Sequence, residues 1–197
     1  WGLIPLAAAL PATADPSVAA EGDLNGDGTA DTITLTAQAE GTEQLLSVTV
    51  GGTTHQLTLL LSNPDGVAPV RVLDTNKDGK DEVLVTESVS DGTTTFDLVD
   101  LGADGLRIIK TPDAQDLRFF ESNSPSARSG YTCKDDFFGT EMRAVAISAD
   151  GKEVASAAGT TVRLGATGTG NEEILTHSHW RAPTATALKA AGARGVS

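Results

Sequence analysis

Cysteine is almost absent from these 197 residues: only Cys133 is present. No intramolecular disulfide and no cysteine-built zinc cage can therefore form. Aromatic residues make up 4% of the chain, so any core must rest on Val, Leu, Ile and Ala. Positive charge is scarce as well, with 14 Lys and Arg against 27 Asp and Glu, a net charge of −13. That balance disfavours nucleic acid and anionic membrane surfaces, whose phosphates would repel the chain. No apolar run approaches the ~20 residues that a membrane-crossing helix needs. There is no Gly-x-Ser-x-Gly nucleophile elbow. Gly165–Gly170 has neither the lysine nor the spacing of a phosphate loop.

Turn signals are what the chain has in plenty. Asp-Gly begins at residues 27, 65, 78, 91, 104 and 150, and four of these, at 65, 78, 91 and 104, are thirteen residues apart. Asp-Gly favours tight turns because Gly adopts positive φ freely and Asp bonds back to nearby amides. Between the turns lie short β-branched or apolar runs: Val70–Leu73, Glu82–Thr86, Thr94–Leu101 and Leu106–Lys110. The same grammar continues upstream in Thr32–Thr36, Leu45–Val50 and Gln56–Leu61. Downstream it continues in Arg143–Ser148, Glu153–Ala157, Thr161–Leu164 and Glu173–His177. Strands joined by regular turns predict an all-β fold of antiparallel meanders. Periods of 50–60 residues suggest about three units, near 17–67, 68–127 and 128–182, in a propeller-like or stacked-sheet arrangement. Glu121–Gly130, rich in Ser and Asn, reads as an exposed loop or unit boundary. Residues 1–16 read as an N-terminal segment or the remnant of an export signal. Residues 183–197 read as a tail, with Thr184–Ala193 the best helix candidate.

Two segments carry recognisable chemistry. Asp23-Leu-Asn25-Gly-Asp27-Gly28-Thr29-Ala-Asp31 places oxygen-bearing side chains at positions 1, 3, 5 and 9. Asp74-Thr-Asn76-Lys-Asp78-Gly79-Lys80-Asp-Glu82 repeats the arrangement. Calcium takes six to eight oxygens, and a tightly wound loop turns alternate side chains towards one centre. Gly28 and Gly79 at position 6 allow the sharp turn, and Thr29 and Lys80 at position 7 would donate backbone carbonyls. Each loop brings three carboxylates and one amide, about −3 against +2. Two calcium ions are therefore expected. The bland alternative is a solvated, metal-free Asp-rich turn.

An EF-hand is excluded by position 12, Thr34 in one loop and Val85 in the other, where a bidentate Glu is required. The residues after each loop are strand-formers rather than helix-formers. A loop closing at position 9 and running into a strand resembles the calcium loops of FG-GAP repeats, also called VCBS-type or integrin-α-like repeats. The resemblance implies calcium-bearing propeller blades, an extracellular setting, and modules of adhesion or recognition without enzymatic activity. Tyr131–Glu141 resembles a third, decayed loop, with Phe138 where calcium needs oxygen; no ion is expected there.

Other features are weaker. His177 and His179, two apart, have a chelating spacing but no identifiable third ligand. Cys133 reads as a buried small hydrophobe rather than a nucleophile. Phe119-Phe120 and Phe137-Phe138 bracket the loop at 121–130 and read as core, with the rim of a binding patch as the alternative. The sequence thus predicts an exported or cell-surface calcium-binding β domain, non-enzymatic, serving an extracellular protein or glycan partner. The alternative is a metal-dependent hydrolase, or an accessory domain of a secreted enzyme.

Overall fold

The computed structural model describes residues 16–38, 41–111, 113–123, 127–136, 139–150, 153–166 and 172–182. Among them there is no helix, and every pairing between strands is antiparallel. The fold is all-β.

The first sheet has the order β1 (Ser17–Gly22), β2 (Asp31–Ala37), β3 (Glu43–Val50), β4 (Thr53–Leu60). It is an up-and-down meander. Along β2 buried and exposed residues alternate strictly at first, Asp31, Ile33, Leu35 and Ala37 facing inward, as a sheet with one wet face requires. Its last turn is Gly51-Gly52, with φ of 54° and 85°, the two positive values of a two-residue turn whose twist matches the strands.

The second sheet begins with β5 (Arg71–Leu73), β6 (Glu82–Ser90), β7 (Thr93–Gly102) and β8 (Gly105–Ile108). It continues through β9 (Arg118–Asn123), β10 (Ala127–Asp136), β11 (Gly139–Asp150), β12 (Glu153–Ala166) and β13 (Glu172–Ala182). Its order is β13-β12-β11-β10-β9-β7-β6-β5. β7 serves two neighbours in succession: Thr93–Asp97 pairs with β9, and Val99–Gly102 pairs with β8. The turn between β6 and β7 places both Asp91 and Gly92 at positive φ.

The two sheets meet across one core. Ile33, Leu35, Leu46, Val48 and Leu59 of the first sheet pack with Val83, Val85, Val99 and Leu106 of the second. A second cluster, Leu84, Phe96, Leu98, Ile109, Leu117 and Phe119, covers the other face of β6 and β7. This explains why β6 reads as a continuous run, Val83-Leu84-Val85: both its faces are buried. A polar tie crosses between the sheets at Gln44, which is wholly buried. Its side-chain amide donates to the Leu60 carbonyl at 2.8 Å and to the Thr86 carbonyl at 2.7 Å.

Three sequence expectations are corrected here. Glu121–Gly130 is not simply an exposed loop: β9 and β10 occupy most of it, with Asn123 opposite Arg128 and Ser122 opposite Ser129. Tyr131–Asp136 and Gly139–Glu141 are not a loop either, but the facing ends of β10 and β11, paired from Tyr131↔Ala144 to Asp136↔Gly139. Pairing between consecutive strands overrode the local turn signals in both places. Glu153–Ala157 and Thr161–Leu164 are one strand, β12, since Gly159 between them pairs with both Val145 and Trp180. Of the two phenylalanines at 119 and 120, Phe119 is core and Phe120 is 42% exposed. Residues 1–15, Phe137, Phe138 and the segment 183–197 lie outside the described residues.

Candidate metal centre

Each acidic loop closes a hairpin. The first joins β1 to β2 with Gly22 opposite Asp31, and the second joins β5 to β6 with Leu73 opposite Glu82. Every position in one is 51 residues from its counterpart in the other (74 − 23 = 82 − 31 = 51).

The wiring inside the loops matches as well. At position 1, Asp23 Oδ1 accepts the amides of Gly26 and Asp27 at 2.7 and 3.1 Å, and its Oδ2 accepts the amide of Gly28 at 2.7 Å. Asp74 does the same with Lys77 at 2.5 Å and Gly79 at 3.0 Å. At position 3, Asn25 and Asn76 each accept the amide of position 5, at 2.9 Å in both loops. At position 5, Asp27 accepts the amide of Thr29 at 2.7 Å and Asp78 that of Lys80 at 2.9 Å. At position 9, buried Asp31 accepts the Leu24 amide at 2.9 Å, while buried Glu82 accepts the Thr75 amide at 2.8 Å and the Thr75 hydroxyl. The last pairing ties the loop to the strand that follows it.

Backbone geometry explains the residues at positions 4 and 6. Gly26 and Gly28 have φ of 77° and 82°; Lys77 and Gly79 have φ of 60° and 88°. Position 6 is glycine in both loops because only glycine occupies this region without cost. Lys77 holds position 4 of the second loop despite its side chain.

The loops also touch. The Asp81 amide donates to the Asp23 carbonyl at 2.8 Å, and Asp81 Oδ2 accepts the Asp23 amide at 2.8 Å. A Cβ placed on Gly26 would stand 3.1 Å from Lys80 Cγ and 3.3 Å from the Gly79 carbonyl oxygen. Sequence reasoning missed Asp81, because position 8 donates nothing in the ligand scheme.

Electrostatics single out two carboxylates. The Asn25 side-chain amide, then the Thr29 amide, hold Asp27 below the ordinary carboxylate range. Asp97 goes the other way: burial first, then the neighbouring Glu87 charge, push it up to about 6. Glu87 lies at the bulge of β6, and Asp97 stands opposite Arg118 across β7 and β9. Arg118 Nε is 2.6 Å from Glu87 Oε2 and 3.6 Å from Asp97 Oδ1, and its Nη2 lies 3.8 Å from Asp116. The two Nε contacts are close without hydrogen-bond alignment: both acceptor oxygens are buried and lack a hydrogen bond. The signal available in the sequence was an acid inside an apolar run, Phe96-Asp97-Leu98.

The donor sets of the two loops suit calcium chemically. Every side-chain donor is an oxygen, and a carboxylate oxygen that accepts one amide retains a further lone pair. Among the described residues, however, no three His, Cys, Asp or Glu side chains are gathered as a metal-holding group. The carboxylates at positions 1, 5 and 9 each accept amides of their own loop, and those at position 5, Asp27 and Asp78, are exposed. His177 and His179 occupy alternate positions of β13, opposite Val162 and Thr160. Cys133 lies in β10 opposite Met142. No helix among the described residues is long and apolar enough to cross a membrane. Compared with protein-family models, with curated proteins and with solved structures, the chain matches none.

Proposed function

We propose that this chain is an exported, non-enzymatic calcium-binding β domain of FG-GAP or VCBS type, acting as a structural or recognition module for an extracellular protein or glycan. Asp23, Asn25, Asp27 and Asp31, with the Thr29 carbonyl, would hold one ion. Asp74, Asn76, Asp78 and Glu82, with the Lys80 carbonyl, would hold the other. The observation that carries the reading is the corresponding internal wiring of two loops with oxygen-bearing side chains at positions 1, 3, 5 and 9, at equivalent hairpins. Selection for a turn alone asks only for Asp-Gly at the bend; it does not ask for oxygen at positions 1, 3, 5 and 9 twice over.

Bound calcium would supply a charge that neutralises three carboxylates per loop. The chain's own residues do the rest: position 9 anchors the loop to the next strand, and position 6 allows the bend. Export accords with the acidic balance and the near-absence of cysteine only if something other than a disulfide stiffens the domain. Calcium in both hairpins answers that need.

Isothermal calorimetry on the chelator-treated protein is the test. Two calcium ions per chain are expected, in the range of extracellular modules, roughly 10⁻⁴–10⁻³ M or somewhat tighter. Asp23→Ala should remove one site and Asp74→Ala the other. An absence of binding at millimolar calcium would overturn the proposal.

A further inference from the structure

The geometry points to Asp81 as a latch through which the second loop holds the first in shape, so that the two loops respond as one coupled unit. What passes through the latch when calcium binds rests on the calcium reading; the latch itself does not.

Asp81 grips Asp23 from both sides of one residue. Its amide donates to the Asp23 carbonyl at 2.8 Å, and its Oδ2 accepts from the Asp23 amide at 2.8 Å. Asp23 is the residue around which the first loop winds, since its carboxylate accepts the amides of Gly26, Asp27 and Gly28. Fixing its backbone on both sides fixes the origin of that winding.

The two loops are otherwise equivalent, and they differ where the latch is. Position 8 is Ala30 in the first loop and Asp81 in the second; the residue before position 1 is Gly22 in the first and Leu73 in the second. Both differences serve the same contact. Gly22 is buried, and a Cβ there would overlap Val72 Cγ1 and stand 3.0 Å from Asp81 Oδ2. Glycine lets β5 and Asp81 approach this closely. The stem of Lys80 against Gly26 extends the contact.

Asp81 sits in the chain between Lys80 and Glu82, positions 7 and 9 of its own loop. Ordering those two residues orders Asp81, and through it Asp23. Coupling of this kind is reciprocal in binding free energy, whichever loop carries the parts. A positioning role for Asp81 therefore predicts that damage to the second loop is felt in the first.

Hydrogen exchange and calorimetry on the full chain test this with Asp81→Ala, Asp81→Asn and Asp74→Ala. In Asp81→Ala and in Asp74→Ala, the amides of Gly26, Asp27 and Gly28 should exchange on the order of tenfold faster. The core amides of Ile33 and Val48 should stay protected. Asp81→Asn keeps a side-chain oxygen and should retain most of the protection. With calcium, the first-site affinity in Asp81→Ala should fall roughly five- to tenfold, to its value in Asp74→Ala, and the second-site affinity with the first site filled should fall by the same factor. First-loop protection in Asp81→Ala equal to that of the unaltered chain would overturn the latch. If Asp81→Ala loses core protection too, Asp74→Ala decides: unchanged first-loop exchange there overturns it. If the unaltered chain binds no calcium, the calcium reading fails while the exchange data still decide the latch.

Discussion

Asp23 and Asp81 bond to each other twice, amide to carbonyl and amide to carboxylate, both at 2.8 Å, across 58 residues of sequence. They join the hairpin loop of one sheet to that of the other, beside the place where β1 approaches β5. The contact is as tight as it is because the residue preceding Asp23 has no side chain.

Gly22→Ala should accordingly destabilise the chain without touching any ligand. The added methyl meets Val72 and Asp81, and forcing a methyl into a filled site costs typically ~1–3 kcal/mol. Urea denaturation should show a lower midpoint at unchanged m-value. A midpoint equal to that of the unaltered chain would mean that the two hairpins do not meet as described.

Position 4 of the second loop offers a substitution in the stabilising direction. Lys77 has φ of 60°, a region that costs a side-chain-bearing residue roughly 1–2 kcal/mol. Lys77→Gly relieves this and adds about 0.4–1 kcal/mol of unfolded-state entropy against it. A net gain between zero and ~1.6 kcal/mol is expected. Gly79→Ala, at φ of 88° with open space around its Cβ position, should lose ~1 kcal/mol through backbone strain alone. Thermal melts of both variants check the pair of signs.

Much of this was legible in the sequence. Asp-Gly pairs marked the turns at Asp91-Gly92 and Asp104-Gly105, and short β-branched or apolar runs marked β2, β3 and β7. The two loops were legible because their spacing is local. What was not legible depends on partners outside the segment itself. Ser17–Gly22 carries two alanines and no apolar alternation worth the name, and it becomes β1 by pairing with Asp31–Thr36. The Ser- and Asn-rich stretch after Phe120 becomes strand because β7 and β10 supply its hydrogen bonds. Gln44 and Asp81 drew no reading from the sequence, because the partners that give them their roles, Thr86 and Asp23, lie 42 and 58 residues away.

Gln44 is the polar residue whose removal should hurt most. Gln44→Ala withdraws the donor from the buried Thr86 carbonyl and leaves a void between the sheets. An unsatisfied buried acceptor costs ~1–3 kcal/mol, and the void adds to it. A loss of about 2–4 kcal/mol is expected in chemical denaturation. A loss below ~0.5 kcal/mol would show that the amide carries no share of sheet-to-sheet cohesion.

Asp97 gives stability a pH dependence whose sign is fixed. Its folded pKa, about 6, lies above the ordinary 3.8, so between these values the folded chain holds a proton that the unfolded chain has released. Stability from this group is full below about pH 4 and falls as pH rises towards 6 and beyond. Arg118 and solvent screen the cost, leaving of the order of 1 kcal/mol. Asp97→Asn removes the titration. The difference in stability between the variant and the unaltered chain should therefore shift in the variant's favour by about that amount from pH 4 to pH 7. A pH-independent difference would contradict the buried, proton-holding carboxyl.

Removing calcium should lower the melting temperature by several degrees, since ten times Kd at one site is worth about 1.4 kcal/mol and two sites twice that. Added calcium should restore it. Added salt should recover part of the loss by screening the carboxylates of each emptied loop. A melt indifferent to calcium in a protein shown to bind it would assign the ion to partner recognition rather than to the fold.

The most direct test of the central claim is anomalous diffraction from crystals grown in calcium, with data collected where calcium scatters anomalously. Two peaks per chain are expected, one within Asp23–Asp31 and one within Asp74–Glu82, each ringed by oxygens at about 2.3–2.6 Å. No peak in either loop, with Asp23 and Asp74 still turned only to their own amides, would contradict that claim.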